Sequence, residues 1–189
     1  MAAAAIGLAV ATVKGRGQAI DHRIYRWANQ GQATPKRDAF FRGVTELGSL
    51  YASIGAAGAV AARGRRRQAA DALGAALATW AAGQALKKVF KRQRPYEALD
   101  LFRLLIEKPA GRSWPSSHPA VLLTFVTVLT RNLGLARPVR ASAAGLAGAV
   151  GVSRVYLGVH YPADVAGGLL LGRAIADVWS AAVSPRLVR

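Results

Sequence analysis

The sequence predicts an all-α fold, a polytopic transmembrane bundle of about six helices, on three observations. Of the 189 residues 52% are hydrophobic, and they come in long runs instead of alternating stripes, as in membrane-spanning helices. The runs are rich in Ala and Gly, which let helices pack closely in lipid. The 26 Lys and Arg residues sit mostly in short segments between the runs, as in membrane loops. We expect one membrane-embedded domain over residues 1–189.

Two shorter elements open the chain. Residues 1–13 are apolar but shorter than the roughly 20 residues that a span needs. We interpret them as a short or tilted first helix, with a signal sequence as the alternative. Residues 18–30 carry Ile20, Ile24 and Trp27 at spacings of four and three, which predicts an amphipathic helix at the membrane interface.

Five longer helices are predicted after the break at Thr34-Pro35, with approximate bounds of 44–62, 69–90, 119–136, 139–157 and 163–184. In the last one, Gly168 and Gly172 are small residues four apart. We interpret them as contacts within the bundle, with a dimer interface as the alternative.

A second short interfacial helix is expected between the third and fourth helices, in residues 96–114. Leu99, Phe102, Leu105 and Ile106 recur there at helical spacing among charged residues. We expect this helix to lie at the rim of the site and either to steer a lipid chain or to cover the site.

Charge and composition exclude several function classes. The net charge is +17, but the cations lie between apolar runs and not along one polar face, which disfavours nucleic-acid binding. Basic loops of this kind also hold anionic lipid headgroups. The chain has no cysteine, so a disulfide framework and a thiolate metal site are impossible.

Counting membrane crossings, with residues 1–13 as the first, brings four helix ends to one side. These are the end of the third helix, the start of the fourth, the end of the fifth and the start of the sixth. The polar side chains expected there are Lys87, Arg94, Ser117, His118, Arg154, His160 and Asp164. The sequence therefore predicts that positions almost half the chain apart meet at one membrane face.

The end of the third predicted helix is rich in Lys and Arg. Lys87 and Arg94 are seven residues apart, about two helical turns, so they project from one face near the helix end. Guanidinium binds phosphate oxygens bidentately, and lysine adds a compact charge. The alternative is a plain basic flank, since Lys88, Lys91 and Arg92 lie there too.

The start of the fourth helix predicts an anion site. Pro119 suits the first helical position, which places Ser117 near the N-cap, where unpaired backbone N–H groups bind anions. A serine cap with no further role is the alternative. His118, beside this site, is a candidate proton donor for a departing oxygen.

The segment from Ser153 to Asp164 is the most informative. His160 precedes the sixth helix, and Asp164 follows four residues later in its first turn. Asp164 either stabilises the helix N-terminus or also accepts the Nδ1–H of His160, which leaves Nε2 free as a nucleophile. Arg154 adds a third cation.

Taken together, Lys-x6-Arg-Pro, Pro-Ser-x-His and Ser-Arg-x5-His-x3-Asp resemble the three-part signature of the type 2 phosphatidic acid phosphatase superfamily, over residues 87–164. The resemblance implies His160, His118 and Asp164 as catalytic residues. It implies Lys87, Arg94, Ser116, Ser117 and Arg154 as phosphate ligands. One departure is Ser117, which stands where the family most often has glycine.

The resemblance implies a bacterial integral membrane enzyme that hydrolyses a lipid phosphate through a phosphohistidine. No metal or cofactor is implied, and the expected partners are a polyprenyl-type or glycerophospholipid phosphate and the bilayer. Family habit places the pocket outside the cytoplasm. Arginines on the opposite side agree with this, although the pocket side is also basic. A vanadate-dependent haloperoxidase and a non-catalytic lipid-phosphate binder or transporter are the alternatives, and the paired histidines disfavour the second.

Overall fold

A computed structural model describes residues 17–31 and 33–187, with the isolated positions 7, 11 and 15. The helix predicted at residues 1–13 therefore lies outside the continuously described residues. The described chain forms nine helices: α1 Gln18–Gln30, α2 Pro35–Glu46, α3 Leu50–Ala62, α4 Arg66–Phe90, α5 Pro95–Ala98, α6 Ser117–Asn132, α7 Arg137–Tyr156, α8 Pro162–Ala182 and α9 Ser184–Leu187. The all-α prediction is confirmed, and no strand occurs within these ranges.

Five predicted helices are found close to their expected bounds. The amphipathic helix is α1, and the helices expected at 69–90, 119–136, 139–157 and 163–184 are α4, α6, α7 and α8. The side chains of Ile20, Ile24 and Trp27 are exposed along α1. By length and composition α8 is the one described helix apolar enough to cross a membrane, and α3 is apolar but shorter.

The prediction of one helix over 44–62 is wrong, because the chain breaks at residues 47–49 into α2 and α3. The Ser49 hydroxyl accepts from the Ala52 N–H at 3.0 Å and starts a new helix. Gly48 lies in the break, where an added Cβ would come within 3.0 Å of the His118 Cβ. The break thus lets the backbone pass close to a residue of the predicted site.

The prediction of an interfacial helix within 96–114 is also wrong. The helix α5 covers one turn, and the chain then runs as an irregular loop. The backbone of Arg103 bonds to the side chain of Asn29 through both its N–H and its carbonyl, each at 2.8 Å. The Leu105 N–H donates to the Leu157 carbonyl. Because these backbone groups find partners elsewhere in the fold, no helix is needed to satisfy them.

The core centres on α6, which packs against α4, α7 and α8. On α8, a Cβ added at Gly168 or at Gly172 would overlap backbone atoms at the start of α6. The Thr124 hydroxyl of α6 also donates to the Gly172 carbonyl at 2.9 Å. The small residues therefore serve close packing within the chain, and they fix the start of α8 beside the start of α6.

Candidate active site

A cavity of about 400 Å³ lies where α4, α6 and α7 meet the loops that follow α4 and α7. Six of the side chains expected at one face line it: Lys87, Arg94, Ser117, His118, Arg154 and His160. Ser116 and Asp164 are fully buried behind this lining. The structure thus brings together the residues that sequence analysis grouped, while their roles stay predictions.

Three cations around the cavity are buried without an ion-pair partner among the described residues. Lys87, Arg94 and Arg154 are 7%, 1% and 3% exposed. Within the described part of the chain, none of them forms an ion pair with Asp or Glu. Burying a charge is costly unless an opposite charge or hydrogen bonds compensate it. The arrangement therefore favours an anion in the cavity.

The Arg94 guanidinium is fixed by backbone carbonyls. Its Nε donates to Gly111 O and its Nη1 to Val159 O, both at 2.9 Å, and its Nη2 donates to Ala110 O at 3.3 Å. Nη1 also lies 3.4 Å from Nε2 of His160. A guanidinium has five N–H donors, so Arg94 is held rigidly and still keeps a donor near the His160 ring.

Arg154 is held from the last turn of α2. Its Nη1 donates to the Thr45 hydroxyl of α2 at 3.0 Å. Its Nε has no partner among the described residues. One edge of the guanidinium is thus anchored, and the other offers a donor for a ligand.

The start of α6 differs from the predicted arrangement. Ser116 is the N-cap, Ser117 is the first helical residue, and Pro119 is the third and not the first. Neither serine hydroxyl has a partner within the described ranges. The Ser116 N–H donates to the Asp164 carbonyl at 3.0 Å, which ties this terminus to α8. The unpaired N–H groups and hydroxyls of this turn are suited to bind an anion.

His160 and Asp164 face each other across the loop before α8. Nδ1 of His160 lies 3.4 Å from Oδ2 of Asp164, which is within ion-pair distance but longer than an ordinary hydrogen bond. Asp164 Oδ2 also accepts from the Tyr161 N–H at 2.8 Å and from the Ser113 hydroxyl. The carboxylate is therefore fixed in place, and its distance to the ring suits a contact that tightens when substrate binds.

Burial and nearby positive charges favour the neutral form of the His160 ring. Burial, followed by the positive charges of Arg94, Arg154 and Lys87, lowers the pKa of His160 well below its ordinary 6.5. A neutral imidazole has a free ring nitrogen, which is the form that attacks an electrophile.

Sequence analysis missed four residues that hold this site. Arg92 donates through Nη1 to Asp164 Oδ1 at 2.6 Å and through Nη2 to Asp21, yet it was grouped with the basic flank. Ser113 and Thr45 hold Asp164 and Arg154. Arg92 and Arg94 are two residues apart, and this spacing is a signal that the two side chains have different partners. Nothing in the sequence marks Asp21, Thr45 or Ser113.

A helical bundle that gathers buried cations, a helix N-terminus and two histidines around one cavity has the parts needed for phosphoryl transfer. The chain belongs to the PAP2 superfamily, whose family model matches residues 68–187. The matched region contains every site residue that sequence analysis named.

Curated relatives are similar over part of their length. Decaprenylphosphoryl-5-phosphoribose phosphatase of Mycobacterium tuberculosis (strain H37Rv) is 32% identical over 121 residues, which cover 64% of each chain. Undecaprenyl-diphosphatase of Sulfolobus acidocaldarius is 38% identical over 96 residues, 50% of this chain and 45% of that protein. The chain thus spans less than two thirds of the length of these relatives.

Solved structures are similar over most of the chain. The crystal structure of a transmembrane PAP2 type phosphatidylglycerolphosphate phosphatase from Bacillus subtilis aligns with a TM-score of 0.81 and 26% identity, covering 94% of this chain and 90% of that one. The structure of Aquifex aeolicus LpxE aligns with a TM-score of 0.74 and 28% identity, covering 83% and 92%.

Proposed function

We propose that this protein is an integral membrane lipid-phosphate phosphatase that hydrolyses a phosphomonoester or diphosphate on a lipid. The observation that carries the proposal is the set of three buried cations without ion-pair partners among the described residues, which line one cavity together with two histidines. Membership of the PAP2 superfamily and the names of the similar phosphatases support the same class.

In the proposed first step, Arg94, Arg154, Lys87 and the first-turn N–H groups of α6 bind the phosphoryl oxygens. Nε2 of His160 attacks phosphorus, and a P–N bond forms as the P–O bond to the lipid breaks. His118, which the negative charge of the bound phosphate holds as an imidazolium, gives its proton to the departing oxygen. Asp164 accepts from Nδ1–H and stabilises the charge that develops on the ring.

In the second step, His118 takes a proton from a water molecule, which attacks phosphorus. The P–N bond breaks, its electrons return to Nε2, and inorganic phosphate leaves. The cations of the chain supply the charge stabilisation throughout, so we propose that the reaction needs no metal or cofactor.

The cavity lining extends from the cations onto α3 and α4. Leu50, Tyr51, Trp80 and Gln84 line this extension, and the rings of Tyr51 and Trp80 are exposed. An apolar, exposed side is suited to a long lipid chain that stays in the bilayer while its phosphate enters. We propose a polyprenyl-type carrier phosphate as the substrate, with a glycerophospholipid phosphate as the second choice.

We further propose that the protein resides in a bacterial plasma membrane with the cavity outside the cytoplasm. The end of the bundle opposite the cavity carries a basic cluster of Arg131, Arg137, Arg140 and Arg173 around a second pocket. Arginines in loops favour the cytoplasmic side. Labelling single cysteines introduced at Gly134 and at Gly111 with an impermeant reagent on intact cells tests this, and labelling of Gly134→Cys alone would contradict it.

Phosphate release by the purified full-length protein tests the proposed activity. The panel contains a polyprenyl phosphate, a polyprenyl diphosphate, phosphatidate and phosphatidylglycerol phosphate in detergent, and it is repeated with a chelator. We expect turnover of at least one lipid, unchanged by the chelator and abolished in His160→Ala. His22→Ala is the matched control, because it alters the one histidine outside the cavity lining.

Two results would contradict the proposal. Tight lipid-phosphate binding without release by the wild type would indicate a binding or transport protein. Full turnover in a folded His160→Ala variant would exclude the proposed nucleophile. Quenching the reaction in base and finding acid-labile phosphate on the wild type, and none on His160→Ala, would support the covalent intermediate.

A further inference from the structure

The helix α1 reaches the predicted catalytic aspartate through one buried arginine. Arg92 donates through Nη1 to Asp164 Oδ1 at 2.6 Å and through Nη2 to Asp21 Oδ2. The side chains of Arg92, Asp21 and Asp164 are 7%, 5% and 0% exposed. The Arg92 guanidinium also lies 4.3 Å from the centre of the Tyr161 ring, which restricts its plane.

Asp21 makes a second contact on the other side of Asp164. Its Oδ1 accepts from the backbone N–H of Ala163 at 2.9 Å, at the start of α8. Asp21 therefore binds both the guanidinium that donates to Asp164 and the backbone N–H of the residue that precedes Asp164. It lies 142 residues from Ala163 in sequence and outside the region 68–187 that the family model matches.

The charges of the three residues do not cancel. Two carboxylates share one guanidinium, so the group of three keeps one net negative charge beside His160. Without the charge of Asp21, Arg92 would pair with Asp164 alone, and the pair would be neutral. A neutral pair stabilises a positive imidazole ring less than a net negative group does.

We propose that Asp21 is a positioning residue for the reaction: through Arg92 and the Ala163 N–H it fixes the Asp164 carboxylate where that carboxylate faces His160, and its own charge offsets part of the charge of Arg92. This inference rests on the proposed function, because it assigns Asp21 to the same site. Asp21 lines no part of the cavity, so it acts on the chemical step and not on phosphate binding.

A purely structural ion pair is the competing explanation, and the chain offers a matched control. Asn29 lies on the same face of α1, and its side chain bonds to the Arg103 and Tyr156 carbonyls, both at 2.8 Å. The variant Asn29→Ala loosens the docking of α1 and leaves Asp21, Arg92 and Asp164 intact. A structural role predicts similar kinetics for Asn29→Ala and Asp21→Asn.

Steady-state kinetics of the full-length protein in lipid nanodiscs test the proposal. Because hydrogen bonds to charged groups are lost, we expect Asp21→Asn to lower kcat by roughly tenfold to a hundredfold with KM unchanged within about twofold. Asp21→Glu should recover part of the loss, and Asn29→Ala should keep kcat within about twofold. In the Asp164→Asn background, Asp21→Asn should add little further loss, since both act through one contact.

A spectroscopic readout keeps the test independent of turnover. The chain has three histidines, so ¹⁵N-histidine spectra of the protein in micelles are simple, and His160→Ala assigns the His160 signals. We expect Asp21→Asn to move the Nδ1 signal of His160, and Asn29→Ala to leave it in place.

The outcomes separate the two proposals. An unchanged kcat and an unchanged Nδ1 signal in folded Asp21→Asn would overturn the positioning role, while the lipid phosphatase proposal stands. Equal losses of kcat in Asp21→Asn and Asn29→Ala would also overturn it, in favour of a structural ion pair. A wild type without turnover, whose Nδ1 signal still responds to Asp21→Asn alone, would overturn the proposed reaction and support the positioning of His160.

Discussion

Asp71 and Asp164 are buried aspartates at opposite ends of the bundle, and the groups that donate hydrogen bonds to them differ in kind. Asp71 on α4 accepts from Asn132 Nδ2 and Trp179 Nε1, both at 2.7 Å, and from the Ser184 hydroxyl at 2.6 Å. All three donors are neutral. Asp164 accepts from the Arg92 guanidinium and faces an imidazole. Burial alone therefore does not distinguish the predicted catalytic carboxylate from a structural one.

The arginines of the two ends show the same contrast. At the end with Asp71, Arg131 and Arg173 both pair with Asp177, and their side chains are 28% and 46% exposed. At the cavity, Arg94 and Arg154 are almost fully buried and have no carboxylate partner among the described residues. Paired, exposed cations tolerate the absence of a ligand, whereas buried, unpaired cations indicate where an anion binds.

The largest expected difference is between Asp164→Asn and Asp71→Asn. An amide at Asp164 cannot accept the Nδ1–H as a charged group, and the analogous change in serine protease triads lowers kcat by about 10⁴. We expect a loss of about 10³ or more in phosphate release for Asp164→Asn. For Asp71→Asn we expect kcat within about twofold of the wild type.

Thermal unfolding in detergent completes this comparison. Asp71→Ala leaves three buried donors without their acceptor, which we expect to cost about 2–4 kcal/mol of folding stability. A variant at Asp71 that folds normally and still loses turnover would show that both ends contribute to catalysis, and the contrast between them would fail.

The next largest difference concerns Arg154→Ala and Arg131→Ala. Removing a buried guanidinium that binds the transferred phosphoryl group is expected to lower kcat/KM by about 10²–10³. Arg131→Ala removes a half-buried ion pair far from the cavity and should change kcat/KM by less than about twofold. Initial rates on one lipid phosphate measure both, and equal losses would show that the cations act only through the overall positive field.

A smaller effect is expected from His118→Ala, and it should depend on the leaving group. General acid catalysis contributes about 10²–10⁴ when the departing oxygen is basic. We expect a loss near the lower end of that range, about 10², on a lipid alcohol phosphate, and a clearly smaller loss in the first step on p-nitrophenyl phosphate. Burst kinetics with the aryl substrate should then show accumulation of the phosphorylated protein. Equal losses on both substrates would exclude His118 as the proton donor.

The helices and the cavity lining were predictable because their signals are local. Lys87, His118 and Asp164 each lie at a helix end, and helix ends can be located from apolar runs and from Pro and Ser residues. The contacts of Asp21, Thr45 and Ser113 were not predictable, since each depends on a partner that only the tertiary fold brings near. For the same reason apolar spacing alone wrongly predicts a short helix within 96–114, where the Asn29 side chain bonds to the backbone of Arg103.

The smallest expected effect concerns pH. Burial and the charges of Arg94, Arg154 and Lys87 lower the pKa of His160, so the ring stays neutral and nucleophilic as the pH falls below 6.5. The acid limb of kcat/KM that belongs to His160 should therefore lie below pH 6.5. Removing one positive charge in Arg154→Ala favours the imidazolium and should raise this limb toward pH 6.5.

Arg131→Ala is the control for pH, because Arg131 lies at the other end of the bundle and should leave the limb where it is. Titration of the substrate phosphate also produces a limb, but it is common to all variants and cancels in the comparison. If both arginine variants shift the acid limb equally, the net charge of the whole protein sets the pKa of His160. The cations of the cavity then lower that pKa no more than distant cations do. A shift in Arg154→Ala alone would show that the cations binding the phosphate also keep the nucleophile unprotonated.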